Sequence, residues 1–370
     1  MKKVLFVSHI ANFAKFNYTF MEWFREQNWQ VDYASDGKEE VHFCDNSYTI
    51  CFERSPFKLN NLKAYRELKD LLEREKYDIV HCHTPMGGVI ARLAARKSRK
   101  KGTKVIYTAH GFHFYKGASK VNWLCYYPVE KWLSKDTDCL VTINQEDYQN
   151  AVSRRFKAER IEKIDGVGVN LEKFSPIKKE EKQKLRKEYG FLEDEFILIC
   201  VAEVNKNKNQ KFMIRNFNEI RNAIPKAKLL IVGVGDEIEN CRSLVEDRGL
   251  DKQILFLGYR KDVDKLLQLS DVLISASKRE GLPVNIIEAM ASGLPVVCAN
   301  TRGQRDLIQN EFNGYVYKLD NDKEFVSDVV ELYKHPEFRQ KYGENSVKAA
   351  TKYSVDKAIA AMSKIYKTYM

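Results

Sequence analysis

The chain has 370 residues, more than one hydrophobic core usually serves, so we expect two domains. Its hydrophobic fraction of 44% is enough for buried cores, but no apolar run is long enough to span a membrane. The net charge of +11 favours an anionic partner, and because no nucleic-acid-binding motif accompanies it, we expect lipid headgroups or a diphosphate and no nucleic acid.

The eight cysteines stand singly, without the C-x-x-C spacing of zinc sites, which is typical of a reducing cytoplasm. His81 and His83 would share one face of a strand, but no third ligand is evident and we expect no metal. The N-terminal Met1-Lys-Lys-Val-Leu-Phe-Val has too short an apolar run for a signal peptide and is typical of a first strand.

The first half of the chain alternates strands and helices, which predicts a parallel sheet with helices on both faces. The predicted strands are Lys3–Ser8, Gln30–Ala34, Tyr48–Cys51, Asp78–Cys82, Lys104–Thr108, Cys139–Ile143 and Ile161–Ile164. The predicted helices are Phe16–Gln27, Leu62–Arg74, Gly88–Arg99 and Asn122–Ser134.

A glycine-containing, polar segment ending at Pro176 then interrupts the pattern and predicts a hinge or linker from Gly166. Beyond it the alternation resumes, so a second parallel sheet is expected. Its predicted strands are Phe196–Val201, Lys228–Val232, Gln253–Leu257, Asp271–Ser275 and Pro295–Ala299, and its predicted helices are Glu180–Tyr189, Asn209–Ala223, Asp236–Arg248, Val263–Leu269, Val284–Ala291 and Glu324–Tyr333, with one or two more in 342–370.

One segment of the second half combines two carboxylates with a helix start: Glu280-Gly-Leu-Pro-Val-Asn-Ile-Ile-Glu288. Glu280 falls in the loop after a buried strand, Pro283 suits a first helical turn, and Glu288 lies a turn or two into the helix. Free N–H groups at a helix start suit a diphosphate, and carboxylates suit sugar hydroxyls. The segment therefore predicts a nucleotide-sugar site.

The whole run from Glu280 to Val297 resembles the signature of the family-4 retaining glycosyltransferases, especially those of bacterial capsule and exopolysaccharide synthesis. The resemblance implies the GT-B fold: α/β, with two Rossmann-like domains facing each other across a cleft. It implies an acceptor-binding domain of residues 1–175 with a helix of about 355–370, and a nucleotide-sugar-binding domain of residues 176–354.

The resemblance also implies roles for individual donor-side residues. Glu280 corresponds to the glutamate that bonds the donor sugar, and Glu288 to the one that holds ribose hydroxyls. The remaining donor-binding positions are Gly281, Leu282, Pro283, Val284 and Asn285 near the phosphates and sugar, Tyr259 and Arg260 near the nucleobase, and Gly233 in a tight turn.

The sequence departs from the family pattern after the strand Phe196–Val201. The family's lysine is kept as Lys208, a predicted catalytic contact to the diphosphate, but Glu203 occupies the usual arginine position. Either Glu203 points away and Lys206 compensates for its charge, or Glu203 contacts a sugar; if diphosphate binding were lost, the protein would be inactive.

On the acceptor side, His110 in Tyr107-Thr-Ala-His-Gly resembles the family's catalytic histidine. His113 is a further candidate. The first loop lacks the glycine pair that many family members carry, but His9, Asn12 and Asn17 there can bind an acceptor through hydrogen bonds.

The resemblance therefore predicts a retaining hexosyl- or N-acetylhexosaminyltransferase that needs no metal or other cofactor. We expect a UDP-sugar donor and a lipid-diphosphate-linked or glycan acceptor, with the enzyme peripheral at the inner face of the cell membrane. Three alternatives remain open: a soluble transferase for a small metabolite, a sugar-nucleotide epimerase, and a non-catalytic nucleotide-sugar-binding protein. The oligomeric state is not predicted.

Overall fold

The computed structural model describes residues 1–370 and contains two parallel sheets, which confirms the predicted α/β class. The chain divides into one unit of Met1–Gly168 with Val355–Met370, and a second unit of Val169–Ser354. The first unit thus ends after Gly168 and not, as predicted, after Ser175. The reason is that Val169 donates a backbone hydrogen bond to Tyr353, and Phe174 packs into the core of the second unit.

The first unit has a seven-stranded sheet of order β3-β2-β1-β4-β5-β6-β7. Its strands are β1 (Lys3–Val7), β2 (Gln30–Ser35), β3 (Asn46–Thr49), β4 (Ile79–His83), β5 (Lys104–Ala109), β6 (Cys139–Thr142) and β7 (Arg160–Lys163). Its helices are α1 (Tyr18–Glu26), α2 (Asn60–Glu75), α3 (Pro85–Ala94), α4 (Arg96–Arg99), α5 (Lys120–Leu133), α6 (Gln145–Ser153) and, from the C-terminal segment, α15 (Val355–Lys367). Short 3₁₀ helices cover Ala11–Phe16 and Ser134–Asp136.

The second unit has a six-stranded sheet of order β10-β9-β8-β11-β12-β13. Its strands are β8 (Phe196–Val201), β9 (Ala227–Val232), β10 (Ile254–Gly258), β11 (Val272–Ser275), β12 (Val296–Ala299) and β13 (Gly314–Tyr317). Its helices are α7 (Lys179–Glu188), α8 (Gln210–Ala223), α9 (Ile238–Asp247), α10 (Val263–Leu269), α11 (Val284–Ala291), α12 (Gln304–Leu307), α13 (Asp322–Lys334) and α14 (Pro336–Ala350), with a 3₁₀ turn at Thr351–Tyr353.

In both sheets all recorded strand pairs are parallel, and the strand order reverses once, beside β1 in the first unit and beside β8 in the second. Ligands of open α/β sheets bind outside the carboxyl ends of the strands, at the point where the order reverses. In the first unit this point lies between β1 and β4, and in the second between β8 and β11. The loops that follow these four strands are therefore where a site is expected.

The central strands are buried on both faces, as parallel strands covered by helices must be. Val4–Val7 and Ile79–His83 are buried throughout, and so are Val272–Ser275 and Val296–Ala299. No helix of the protein has both the length and the apolar composition needed to cross a bilayer. The rigid strands fix the positions of the loop residues described next.

Candidate functional site

In the second unit, the loops after β8 and β11 meet through an ion pair between two predicted catalytic residues. Lys208 Nζ lies 2.6 Å from Glu280 Oε1, and both side chains are largely buried. An ammonium has three donors and a carboxylate several acceptor sites, so each group keeps capacity for a ligand. Lys208 can donate to phosphate oxygens while Glu280 Oε2 accepts from a hydroxyl.

The loop that carries Lys208 is held in shape by two asparagines. Asn205 Oδ1 accepts hydrogen bonds from the backbone N–H groups of Asn207 and Lys208, at 3.0 and 2.9 Å. Asn207 Nδ2 donates to the Arg279 carbonyl at 2.9 Å, and its own carbonyl accepts from the Lys278 N–H. These bonds join the two loops, so the lysine and the glutamate are positioned before any substrate binds.

Close backbone packing at this edge depends on glycines. A Cβ on Gly233, whose φ is +141°, would lie 2.0 Å from the carbonyl oxygen of Ala202. A Cβ on Gly303, whose φ is +80°, would lie 2.7 Å from the carbonyl oxygen of Gly281. The predicted tight turn at Gly233 therefore serves to bring two loops together, and Gly303 does the same on the other side of Glu280.

Helix α11 begins just beyond these loops, with Pro283 as its N-cap. The first N–H groups of a helix have no partner in a preceding turn, so the predicted Val284 and Asn285 amides are placed to bind an anion. Asn285 also anchors the helix start, because its Nδ2 donates to the Val201 carbonyl at 2.8 Å. Gly281 and Leu282 lie half-buried in the connecting turn.

Glu288 lies one turn further along α11 and is half-buried. Burial raises its pKa to about 7, with the Lys173 ammonium opposing the rise and the Asp264 carboxylate adding to it. Because burial leaves the ionised carboxylate poorly solvated, hydrogen bonds from hydroxyl donors such as those of a ribose would stabilise the ionised form.

The remaining donor-side candidates lie at the periphery of this edge. The Arg260 guanidinium bonds Asp262 at 2.5 and 2.8 Å, and Tyr259 is 66% exposed after β10. Lys206 is largely exposed, 4.0 Å from a Glu237 oxygen. Glu203 has an exposed side chain, and both predicted alternatives for its carboxylate stay predictions.

In the first unit, His110 lies at the carboxyl end of β5 and bonds a second histidine. His83 Nδ1 is 3.0 Å from His110 Nε2, and Phe13 packs edge-on against the His110 ring at 4.8 Å between centroids. Burial lowers the pKa of His110 to about 4, so its imidazole is neutral at physiological pH. His110 can thus donate or accept a hydrogen bond, but it does not bring a positive charge.

His81 and His83 bond different partners. His81 Nε2 bonds Thr108 Oγ1 at 2.8 Å, and its Nδ1 bonds the Tyr366 hydroxyl of α15 at 2.8 Å. No group of three His, Cys, Asp or Glu side chains in the structure could hold a metal ion. The sequence did not reveal the role of His83 because its partner lies on a neighbouring strand.

The predicted acceptor residues lie in different environments. His9 is half-buried and its backbone N–H donates to Thr84 Oγ1 at 3.1 Å; a Cβ on Gly87 would approach this nitrogen to 3.0 Å, so α3 packs closely against the first loop. Asn12 is exposed, and His113 stacks on Tyr126 at 4.4 Å. Asn17 is fully buried, and its predicted acceptor contact stays a prediction.

Two family models match the chain. Residues 181–349 match the model described as "Glycosyl transferases group 1", and residues 3–144 match "Glycosyl transferase 4-like". The second match contains β1, β4 and β5, and the first contains Lys208, Glu280 and Glu288. The family predicted from residues 280–297 is thereby confirmed.

Curated proteins with similar sequences are named as glycosyltransferases. The chain is 43% identical to the putative glycosyltransferase EpsD of Bacillus subtilis, over 100% of this chain and 97% of that protein. It is 31% identical to the UDP-Gal:α-D-GlcNAc-diphosphoundecaprenol α-1,3-galactosyltransferase of Escherichia coli, over 77% of this chain and 73% of that protein.

Solved structures confirm the fold. The crystal structure of Anabaena HepE in complex with UDP and glucose superposes with a TM-score of 0.83 at 17% identity, covering 100% of both chains. The sucrose-phosphate synthase of Thermosynechococcus elongatus superposes with a TM-score of 0.81 at 17% identity, covering 100% of this chain and 99% of that one. The chain therefore belongs to the group 1, or family-4, glycosyltransferases, which have the GT-B fold.

Proposed function

We propose that this glycosyltransferase moves a hexose or N-acetylhexosamine from a UDP-sugar to a lipid-diphosphate-linked or glycan acceptor in surface polysaccharide synthesis, with retention at the anomeric carbon. The observation that carries the proposal is the Lys208–Glu280 pair, 2.6 Å apart at the point where the sheet order of the second unit reverses. A cation for the diphosphate and a carboxylate for the sugar lie side by side.

The lysine and the α11 N-terminus supply the electrostatic part of the reaction. Breaking the bond between sugar and diphosphate moves negative charge onto the leaving phosphate, and fixed donors already aimed at that charge lower the barrier. The spare donors of Lys208 and the Val284 and Asn285 amides are such donors. No bound metal is needed in this account.

Retention follows if the acceptor attacks the face of the sugar from which the diphosphate leaves, with the leaving phosphate taking the acceptor proton. No carboxylate then acts as a nucleophile, in contrast to retaining hydrolases. His110 is proposed to face the reacting sugar as a neutral hydrogen-bonding group, a role that agrees with its lowered pKa.

Two comparisons support the choice of substrates. The Escherichia coli relative is named for a UDP-galactose donor and a diphosphoundecaprenol-linked acceptor, and HepE was crystallised with UDP and glucose. The chain's charge of +11 agrees with two anionic substrates. We place the enzyme in the cytoplasm, at the inner face of the membrane, because such an acceptor is held there by its lipid.

A donor screen tests this proposal. Thermal unfolding and slow donor hydrolysis are measured with UDP-glucose, UDP-galactose, UDP-GlcNAc, UDP-GalNAc, GDP-mannose and UDP, on the wild type, Glu280→Ala and the control Lys252→Met, whose lysine is exposed. We expect one UDP-sugar to stabilise and turn over, Glu280→Ala to lose turnover, and the control to behave as wild type. Binding of none of these compounds would overturn the donor assignment.

The acceptor is tested separately with undecaprenyl-diphosphate-linked sugars and with water-soluble acceptors. We expect transfer to a lipid-linked or glycan acceptor and not to a small metabolite, and NMR of the product to show the anomeric configuration of the donor. Rapid transfer to a small soluble metabolite would instead identify the soluble transferase, and conversion of the donor sugar without any acceptor would identify the epimerase. Tight donor binding with no turnover would identify a binding protein.

A further inference from the structure

One helix of the first unit is apolar on its outer face. Six apolar residues of α5 are exposed, and they follow the spacing i, i+3, i+4, i+7, i+8, i+11 that places side chains on a single stripe. These residues, the α5 stripe, are Val121, Leu124, Cys125, Pro128, Val129 and Trp132. Leu124 is 75% exposed and Val121 65%, so the stripe is open to solvent.

The opposite face of the same helix is firmly packed. Glu130 is buried in an ion pair with Arg92 at 2.8 Å and accepts a hydrogen bond from the Tyr107 hydroxyl at 3.1 Å. Trp123 and Tyr127 pack against the core of the first unit. A surface helix normally turns polar residues to water, whereas α5 is held rigidly with apolar residues on both faces.

Basic side chains border the α5 stripe. Lys120, Lys131 and Lys135 form no ion pair in the structure; Lys135 Nζ lies 5.1 Å from the centre of the Trp132 ring, and Lys131 Nζ donates to the Tyr127 hydroxyl at 3.1 Å. Arg96 lies over the same ring at 4.6 Å, although Asp136 offsets its charge at 2.7 Å. Long basic side chains can keep their stems beside an apolar layer while their charges stay among the headgroups.

We propose that the α5 stripe docks the protein on an anionic lipid surface, with the stripe in the acyl boundary and the three lysines among the phosphates. An apolar stripe bordered by Lys and carrying Trp is the pattern of a helix that lies in a membrane interface. The uncompensated positive charge favours this occupant over a second copy of the chain, whose stripe would bring like charges together. The proposal deepens the proposed function, since it names the surface that would bring the enzyme to a lipid-linked acceptor.

Flotation with vesicles tests the docking surface without any acceptor. Vesicles of phosphatidylcholine alone are compared with vesicles that also contain phosphatidylglycerol, using the wild type, Leu124→Glu/Trp132→Glu and the control Leu192→Glu, a leucine of the second unit that is 61% exposed. We expect the wild type and the control to bind the anionic vesicles, and the double variant to bind at least about tenfold less. Wild-type protein that does not bind, or a double variant that binds equally well, would overturn the proposal.

Two milder variants, Trp132→Phe and Lys131→Gln/Lys135→Gln, test the same surface with less risk of misfolding. Trp132 is 48% exposed, whereas Trp23 and Trp29 are buried and Trp123 packs against the core, so brominated lipids in the anionic vesicles should quench the wild type and should quench Trp132→Phe far less. Lys131→Gln/Lys135→Gln should weaken binding and reduce its dependence on salt. Equal quenching of the wild type and Trp132→Phe would contradict the insertion of α5.

Two further measurements separate the alternatives. Light scattering that shows a wild-type dimer, lost in Leu124→Glu/Trp132→Glu, would assign the stripe to self-association and overturn the lipid proposal. Donor hydrolysis in the double variant should stay within about twofold of wild type, because α5 supplies none of the proposed donor contacts. Normal vesicle binding with no transfer would leave the docking surface intact and count against the proposed function alone.

Discussion

The carboxyl edges of the two sheets differ in their chemistry although their architecture is alike. The edge of the second unit carries the Lys208–Glu280 ion pair, a helix N-terminus and loops that touch through glycines. The edge of the first unit carries His110 and His83, both with lowered pKa values because they are buried, beside the ring of Phe13. One edge suits a charged diphosphate, and the other suits neutral hydroxyl groups.

The difference shows that the sheet decides where a site lies and the loop residues decide what it binds. In both units the strand order reverses beside a central strand, so topology alone does not indicate which unit binds the donor. The charges of the loop residues distinguish the two edges. The following predictions test that division, and those on activity and donor binding rest on the proposed function.

The largest effect is expected from Lys208→Met. Removing a fixed cation from the leaving phosphate should lower kcat by about 10²–10³-fold, a loss similar to that of one oxyanion donor. Lys252→Met is the matched control, and initial rates with a saturating donor are the measurement. A loss below about threefold would show that the charged edge does not carry the chemistry.

Glu288 should make donor binding depend on pH. With a pKa of about 7, its carboxyl is mostly neutral at pH 6 and mostly ionised at pH 8, and the ionised form accepts ribose hydroxyls better. We expect the Kd of the UDP-sugar to fall about tenfold between these pH values in the wild type and to change little in Glu288→Gln. Calorimetric titration with the UDP-sugar at the two pH values measures this Kd.

The same carboxyl should lower stability at high pH. Its folded pKa lies above the unfolded value of 4.5, so its contribution to stability is complete below about pH 4.5 and is lost as pH rises through about 7. Glu288→Gln should therefore match the wild type near pH 4.5 and be more stable at pH 8, by up to about 3 kcal/mol. Denaturant unfolding without ligand is the measurement, and a pH-independent difference would contradict it.

His83 should act on the other edge through the orientation of His110. His83→Leu removes the hydrogen bond at Nδ1 and should lower kcat about fivefold, the value of one hydrogen bond of about 1 kcal/mol. His83→Asn offers an amide near the Nδ1 position and should restore most of the rate. Nitrogen NMR of His110 should show a mixed tautomer in His83→Leu, and loss of activity without that change would point to a packing role.

The smallest effect is expected at Glu203. Its carboxylate is exposed at the charged edge, so Glu203→Gln should tighten donor binding by about twofold at low salt. The gain should vanish in high salt because exposed charges are screened. A loss of binding upon this substitution would instead show that Glu203 contacts the sugar.

Much of the fold could be predicted from periodicity. The bounds of Phe196–Val201, Val263–Leu269 and Val284–Ala291 agree with the structure residue by residue. Apart from the 3₁₀ helices, three elements were not predicted: the edge strand Gly314–Tyr317 and the helices Gln145–Ser153 and Gln304–Leu307. The strand begins with glycine, a residue that is depleted in strands, whereas the helix Gln145–Ser153 carried a readable signal, since Asn144 Oδ1 caps the Asp147 N–H at 2.8 Å.

The contacts of the site could not be predicted in the same way. The Lys208–Glu280 pair joins the loops after two strands whose adjacency follows from sheet order, which local patterns do not encode. The His83–His110 bond likewise crosses from β4 to β5, and its histidine was interpreted only as a candidate metal ligand. The sequence predicted individual site residues because each of them follows a strand. Their ion-pair and hydrogen-bond partners could be identified only from the fold.

The position of α15 has a consequence for the order in which the protein folds during synthesis. This helix belongs to the first unit, where Tyr366 packs against Phe24 at 4.5 Å and bonds His81. It leaves the ribosome only after the whole of Val169–Ser354, so the second unit can fold while the first still exposes the apolar surface that α15 covers. A chain that stopped before Val355 would keep that apolar surface exposed permanently, and we expect it to aggregate more readily than the full chain.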